Sequence, residues 1–164
     1  MATALSPNRN WILAQFSKGI HAQVVLQKDA EATAASPPDP SLGLLYHEIA
    51  EADARHRLVI ETIATRYGYN PGHGTSGGIS GMVGHFTQSL GELGSSPQMR
   101  IEQDLSAKAS AIHWTTAWVQ AFQAIGDSES ARELSSVLTE QNAHHNALQE
   151  GLNRLVTRGA TEGH

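Results

Sequence analysis

Two segments carry the residues that could do chemistry. Glu51-Ala-Asp-Ala-Arg-His56 and Glu140-Gln-Asn-Ala-His-His145 both read Glu-x-[Asp/Asn]-Ala-x-His. A polar residue three positions before a histidine shares one helical face with it. Such a pair can ligate a metal, or it can hydrogen-bond internally. An Ile-His dipeptide precedes each segment, Ile20-His21 and Ile112-His113, so the pattern reads as one helical hairpin written twice. The candidate metal set is His21, Asp53, His56, His113 and His145, with Glu140 or Asn142 assisting. Imidazole suits zinc, copper, nickel and iron. Four histidines and one aspartate carry little negative charge, which favours one divalent ion over two trivalent ones. The competing reading makes His56 and His145 core histidines, with Asp53 and Asn142 as the partners that a buried imidazole needs. No catalytic residue is assigned.

Four long helices must position these groups. Ser6-Pro7, Asp39-Pro40 and Ser96-Pro97 each place an oxygen acceptor before a proline, and Asp127 or Ser128 offers a fourth cap. The oxygen satisfies free N–H groups, and proline suits the first helical position because its missing N–H is not needed there. Gly68, Gly126 and Gly159 supply stops. The helices therefore run from about Pro7 to Ala34, Pro40 to Tyr67, Pro97 to Ile125 and Ser128 to Arg158. Residues 7–158 form one unit, and 159–164 form a flexible tail. The second helix carries the stripe Leu42, Leu45, Ile49, Ala52, His56, Val59, Ile63, spaced in threes and fours. The fourth carries Leu134, Leu138, Gln141, His145, Leu148, Leu152, Leu155. Counted from their turns at ~1.5 Å per residue, His21, His56, His113 and His145 all fall near mid-length.

Seven glycines crowd residues 68–84, which reads as a loop, with a short helix over about Ile79 to Leu93 after it. Gly72-His-Gly-Thr-Ser-Gly77 and Gly74-Thr-Ser76-Gly-Gly78 match two glycine-rich motifs. Both motifs work only at a strand-to-helix turn. A helix precedes them here and no strand pattern is visible, so Ser76 is not read as catalytic. Trp114 and Trp118, one turn apart, read as core, as a dimer face, or as the lining of an apolar ligand pocket.

The chain has 164 residues, no cysteine, nine histidines and a net charge of −5. Thiol chemistry, disulfides and thiolate metal sites are excluded. The acidic balance argues against nucleic acid as a partner. No apolar run approaches the ~20 residues of a membrane span. Met1–Asn10 lacks the charged and apolar regions of a signal peptide, which predicts a soluble, cytoplasmic protein.

The doubled hairpin, Asp53-x-x-His56 and the Tyr67-Gly-Tyr-Asn-Pro-Gly-His-Gly-Thr-Ser-Gly-Gly segment together resemble a bacterial ferritin-like domain, over about residues 10–158. That resemblance implies an all-α, antiparallel four-helix bundle with a long crossover carrying a short extra helix. Members with an active site carry one Glu on each of the first and third helices and Glu-x-x-His on the second and fourth. These hold two iron or manganese ions that activate dioxygen or peroxide. This chain departs from the pattern. Asn142 stands where the fourth helix needs an acid, with Glu140 out of register. The third helix has no acid between Leu105 and Gly126, and the first has none between Asn8 and Lys28. The resemblance implies a degenerate dimetal centre in a non-catalytic, stress-associated or structural module that forms a homodimer. No cofactor is expected. The alternatives are a metal-binding oxidase or metal-storage protein using a divalent Fe, Mn or Zn ion, and an apolar small-ligand binder.

Overall fold

The computed structural model describes residues 7–70 and 96–162. Among them the chain is all-α. The elements are α1 Arg9–Ala35, a 3-10 turn Pro40–Leu42, α2 Gly43–Arg66, α3 Pro97–Ala124 and α4 Ser128–Thr161. The expected short helix over 79–93, the glycine motifs with Ser76, and His73, His85 and His164 lie outside the described residues.

The starts of α1, α3 and α4, and of the 3-10 turn that leads into α2, each carry a side-chain cap. Asn8 caps α1 by accepting from the Trp11 N–H at 3.1 Å, so α1 begins at Arg9 rather than at the expected Pro7. Asp39 caps the 3-10 turn through the Ser41 N–H at 2.9 Å, so α2 proper begins at Gly43 rather than Pro40. Ser96 accepts from the Met99 N–H at 3.2 Å, with Pro97 in the first position. Asp127 accepts from the Ser130 N–H at 3.0 Å. It also accepts the Tyr67 hydroxyl at 2.7 Å and so ties α4 to the end of α2. Asp127→Ala is expected to lose the cap and that tie together. The cost is about 1–2 kcal/mol, read as a lowered urea midpoint with unchanged slope.

Gly68 and Gly126 stop α2 and α3 at φ 99° and 80°, where a side chain would be strained. Gly159 does not stop α4, which continues to Thr161. Nothing lies near a β-carbon placed at Gly159 and its φ is not left-handed, so a glycine alone imposes no turn. The expected flexible tail from 159 is thus helical for three more residues.

Contacts fix the helix directions. Phe16 stacks on Trp118 and Thr33 accepts from Arg100, so α1 and α3 are antiparallel. Arg66 meets Glu133 and Asp39 meets Arg158, so α2 and α4 are antiparallel. Tyr46 meets Asp104 and Asp53 meets Lys108, so α2 and α3 run the same way. The chain therefore leaves α2 at one end of the molecule and enters α3 at the other.

The core has two apolar clusters. One gathers Ile12, Phe16, Ile20, Ile60, Ile63, Trp118, Phe122 and Leu134. The other gathers Ala30, Leu42, Tyr46, Ile49, Ile101, Leu105 and Leu148. Trp118 is buried with its ring 4.5 Å from Phe16, and Trp114 packs edge-on against it at 5.1 Å. Trp118 is thus core, and Trp114, half-buried, packs against the margin of the same cluster. No helix of the described residues is long and apolar enough to cross a membrane.

Candidate functional site: a polar layer between the two apolar clusters

Between the clusters every helix turns polar. Gln23 interrupts α1 between Ile20 and Ala30. Asp53 and His56 lie between Ala50 and Ile60 on α2, Lys108 and Thr115 between Leu105 and Trp118 on α3, and Gln141 between Leu134 and Leu148 on α4. All six are buried. They occupy core positions of their helices, so packing of the two clusters forces them inward together.

A file of charge crosses this layer. The Lys108 ammonium donates to Asp53 Oδ1 at 2.5 Å, with side chains only 4% and 1% exposed. His56 Nδ1 lies 3.6 Å from the same oxygen, and its Nε2 lies 3.2 Å from Glu140 Oε2. Arg55 donates to Glu140 at 3.1 Å, where both side chains reach solvent. Burial pushes the Asp53 carboxyl up, but His56 and the Lys108 ammonium outweigh burial and hold it below the usual carboxylate range. Glu140 is lowered in the same way, with Arg55 and His56 overcoming its burial. His144 also faces the layer. Burial and then the positive charge of Lys108 push its imidazole below the ordinary value.

Of the predicted metal set, the structure brings together Asp53, His56 and Glu140. His21 and His113 are exposed on the outside of their helices, and His145 is only half-buried. The reason is helical phase. The core positions of α4 run Leu134, Val137, Gln141, Leu148 and Gly151, which alternate threes and fours and put His144, not His145, on the inward line. The matching pair on α4 is therefore Gln141-x-x-His144 rather than Asn142-x-x-His145. Asn142 instead bonds the Leu138 carbonyl of its own helix. Asp53 and Glu140 meet opposite nitrogens of the His56 ring, so the three do not converge on one point. The nearest carboxylate is paired with a tethered ammonium, and two of the four expected imidazoles face away. Among the described residues no three His, Cys, Asp or Glu side chains converge to hold an ion.

Sequence reasoning missed Lys108, Gln23, Thr115 and His144. Lys108 did leave a signal: it follows Ile101 and Leu105 at core spacing. The ferritin-like pattern asks for an acid on α3, and a base on the same line answers Asp53 equally well.

Eight side-chain atoms of the layer have no hydrogen-bond partner among the described residues, His56 Nδ1 lying beyond hydrogen-bond distance of Asp53 Oδ1. They are both amide atoms of Gln23 and of Gln141, Asp53 Oδ2, His56 Nδ1, Thr115 Oγ1 and His144 Nδ1. A dry, unpaired polar group costs about 1–3 kcal/mol. Eight together would rival the ~5–15 kcal/mol net stability of a whole domain.

A second polar group borders the layer one turn away. Asp104 accepts the Tyr46 hydroxyl at 2.5 Å. Burial raises its carboxyl to about 6, against the lowering effects of Tyr46 and Arg100. An acid whose folded pKa is raised disfavours folding once ionised, so this contribution is lost as pH rises from ~4 to ~6. Asp104→Asn keeps an oxygen for Tyr46. It is expected to leave stability unchanged at pH 4 and to raise it by roughly 2 kcal/mol at pH 8, measured by urea unfolding at both pH values.

Comparison with protein-family models, curated proteins and solved structures gave no match to this chain.

Proposed function

We propose that this chain is a ferritin-like bundle with a degenerate dimetal centre, acting as a non-catalytic structural or stress-associated module. The observation that carries this reading is the Lys108–Asp53 ion pair. It supplies a cation from the protein itself at the level where an active ferritin-like bundle would hold its ions. Two further features support it. The helix directions, with α2 and α3 parallel, match the order expected of two hairpins joined by a crossover. In this reading Asp53-x-x-His56 and Gln141-x-x-His144 correspond to the paired Glu-x-x-His motifs, with the fourth-helix acid replaced by a neutral amide. On the same reading Gln23 would take the place of the first-helix acid, and Lys108 that of the third-helix acid with the charge reversed. A site of this composition lacks the anions that stabilise two high-valent ions.

Metal content of untagged protein, grown with iron, manganese and zinc in excess, tests this reading. Plasma mass spectrometry is expected to find far less than one ion per chain. Near-stoichiometric metal that disappears in both His56→Ala and Glu140→Ala variants would reinstate the metal-dependent oxidase or storage reading.

A further inference from the structure

The unpartnered atoms of the polar layer point to a guest, and their chemistry restricts what it can be. Gln23 and Gln141 each present one donor group and one acceptor, both fully buried and unpaired. Thr115 can do either. Asp53 Oδ2 can only accept. The guest must therefore both donate and accept. It must also be close to neutral. Lys108 and Asp53 cancel each other, and Glu140 is already matched by Arg55. An added cation would meet the Lys108 ammonium, and an added anion would meet the free oxygen of Asp53. A transition metal is disfavoured on a second ground, because amide side chains are poor ligands for it.

We propose that this layer is an internal binding site for a neutral hydrogen-bonding guest: a cluster of water molecules, or a small amide or polyol making the same bonds. Lys108 and Thr115, seven residues apart on α3, set a depth of about 10 Å along the helices. An internal water typically makes ~3 hydrogen bonds, so the eight atoms call for about three waters. The half-exposed Glu140 and Arg55 mark where the layer reaches the surface. The site rests on these orphaned atoms alone and is independent of the ferritin-like reading.

Two measurements on the full chain decide the matter. In ¹⁵N-labelled protein, the side-chain NH₂ groups of Gln23 and Gln141 are probed for cross-relaxation with long-lived water. Native mass spectrometry of freshly purified protein is run in parallel, before and after denaturation. Water cross-peaks at both amides, with the bare chain mass, establish water as the guest. An added mass that is released on denaturation and absent from Gln141→Met establishes an organic guest. The absence of both signals would overturn the proposal. The layer would then be dry, and the Gln23→Met/Gln141→Met variant would melt several degrees above the parent.

Discussion

Lys108→Met lowers unfolding stability at pH 7 by about 3–5 kcal/mol and the melting temperature by roughly 10 °C or more. Methionine keeps the length of the side chain and removes its charge. Asp53, 1% exposed, is left with only His56 beside it and one oxygen already unpaired. The pH dependence has a defined sign. In the parent, the Asp53 carboxyl is held below its ordinary value, so its contribution is present above the unfolded pKa of ~4 and is lost as pH falls through the lower folded value. In Lys108→Met, burial is no longer opposed by the ammonium and the carboxyl moves up. The deficit is therefore greatest near neutrality and shrinks at acid pH, where the aspartate is protonated in both folded and unfolded states. Lys108→Met/Asp53→Leu is expected to recover most of the loss, because two matched apolar groups replace a buried pair at little cost. Urea unfolding followed by circular dichroism at pH 7 and pH 4 measures each arm. A single-variant loss below about 1 kcal/mol, the range of surface ion pairs, would show that the pair is not a core tie.

Gly19→Ala should destabilise by about 2–3 kcal/mol, although Gly→Ala within a helix ordinarily gains ~0.5–1 kcal/mol. The sign reverses because a β-carbon at Gly19 collides with the Trp118 ring. Cη2 lies inside contact distance, and Cζ2 and Cζ3 lie at 3.0 and 3.1 Å. The β-carbon meets the rim of the ring, and the ring cannot yield because it is held in place by stacking on Phe16 and by the edge-on contact with Trp114. Gly151→Ala provides the contrast. There the nearest obstacle is the Leu42 Cδ2 methyl at 2.8 Å, the end of a side chain that can rotate, and the net change is expected near zero. Thermal unfolding with tryptophan fluorescence distinguishes the two, since only Gly19→Ala moves Trp118. A stabilised Gly19→Ala would mean that α1 and α3 stand further apart than described.

The helices were legible because their signals are local. Ser96-Pro97, Asp127, Gly68 and Gly126 act within one turn of themselves, and each performs as its chemistry requires. Gly159 misled because a glycine ends a helix only when the chain after it must turn. The site was half legible. Asp53 and His56 sit on a long apolar stripe that fixes their phase without ambiguity. On α4, Leu134, Leu138, Leu148, Leu152 and Leu155 support two adjacent stripes. The stripe through Leu138 would put His145 inward, whereas the helix buries Val137 and turns His144 to the layer. His21 and His113 shared a level with His56, but level along a helix says nothing about direction around it. Lys108 was invisible for a different reason: a lone lysine is read as solvated unless its partner on another helix is already known.

The parallel run of α2 and α3 bears on how the chain finds its alignment. The α1–α2 and α3–α4 hairpins each close over a short turn, so their internal contacts are local in sequence. Their docking must then select one axial setting among several that bury comparable apolar surface. Sliding one hairpin by a helical turn, ~5.4 Å, would carry Lys108 away from Asp53 to the level of Ile49 and Ala50, stranding an ammonium among apolar side chains and leaving a carboxylate alone. The apolar clusters reward many settings; the lysine tolerates one. The mid-core ion pair thereby acts as an indexing pin for assembly, and a chain lacking both its charges should fold to a looser mixture of hairpin alignments even where its measured stability is restored.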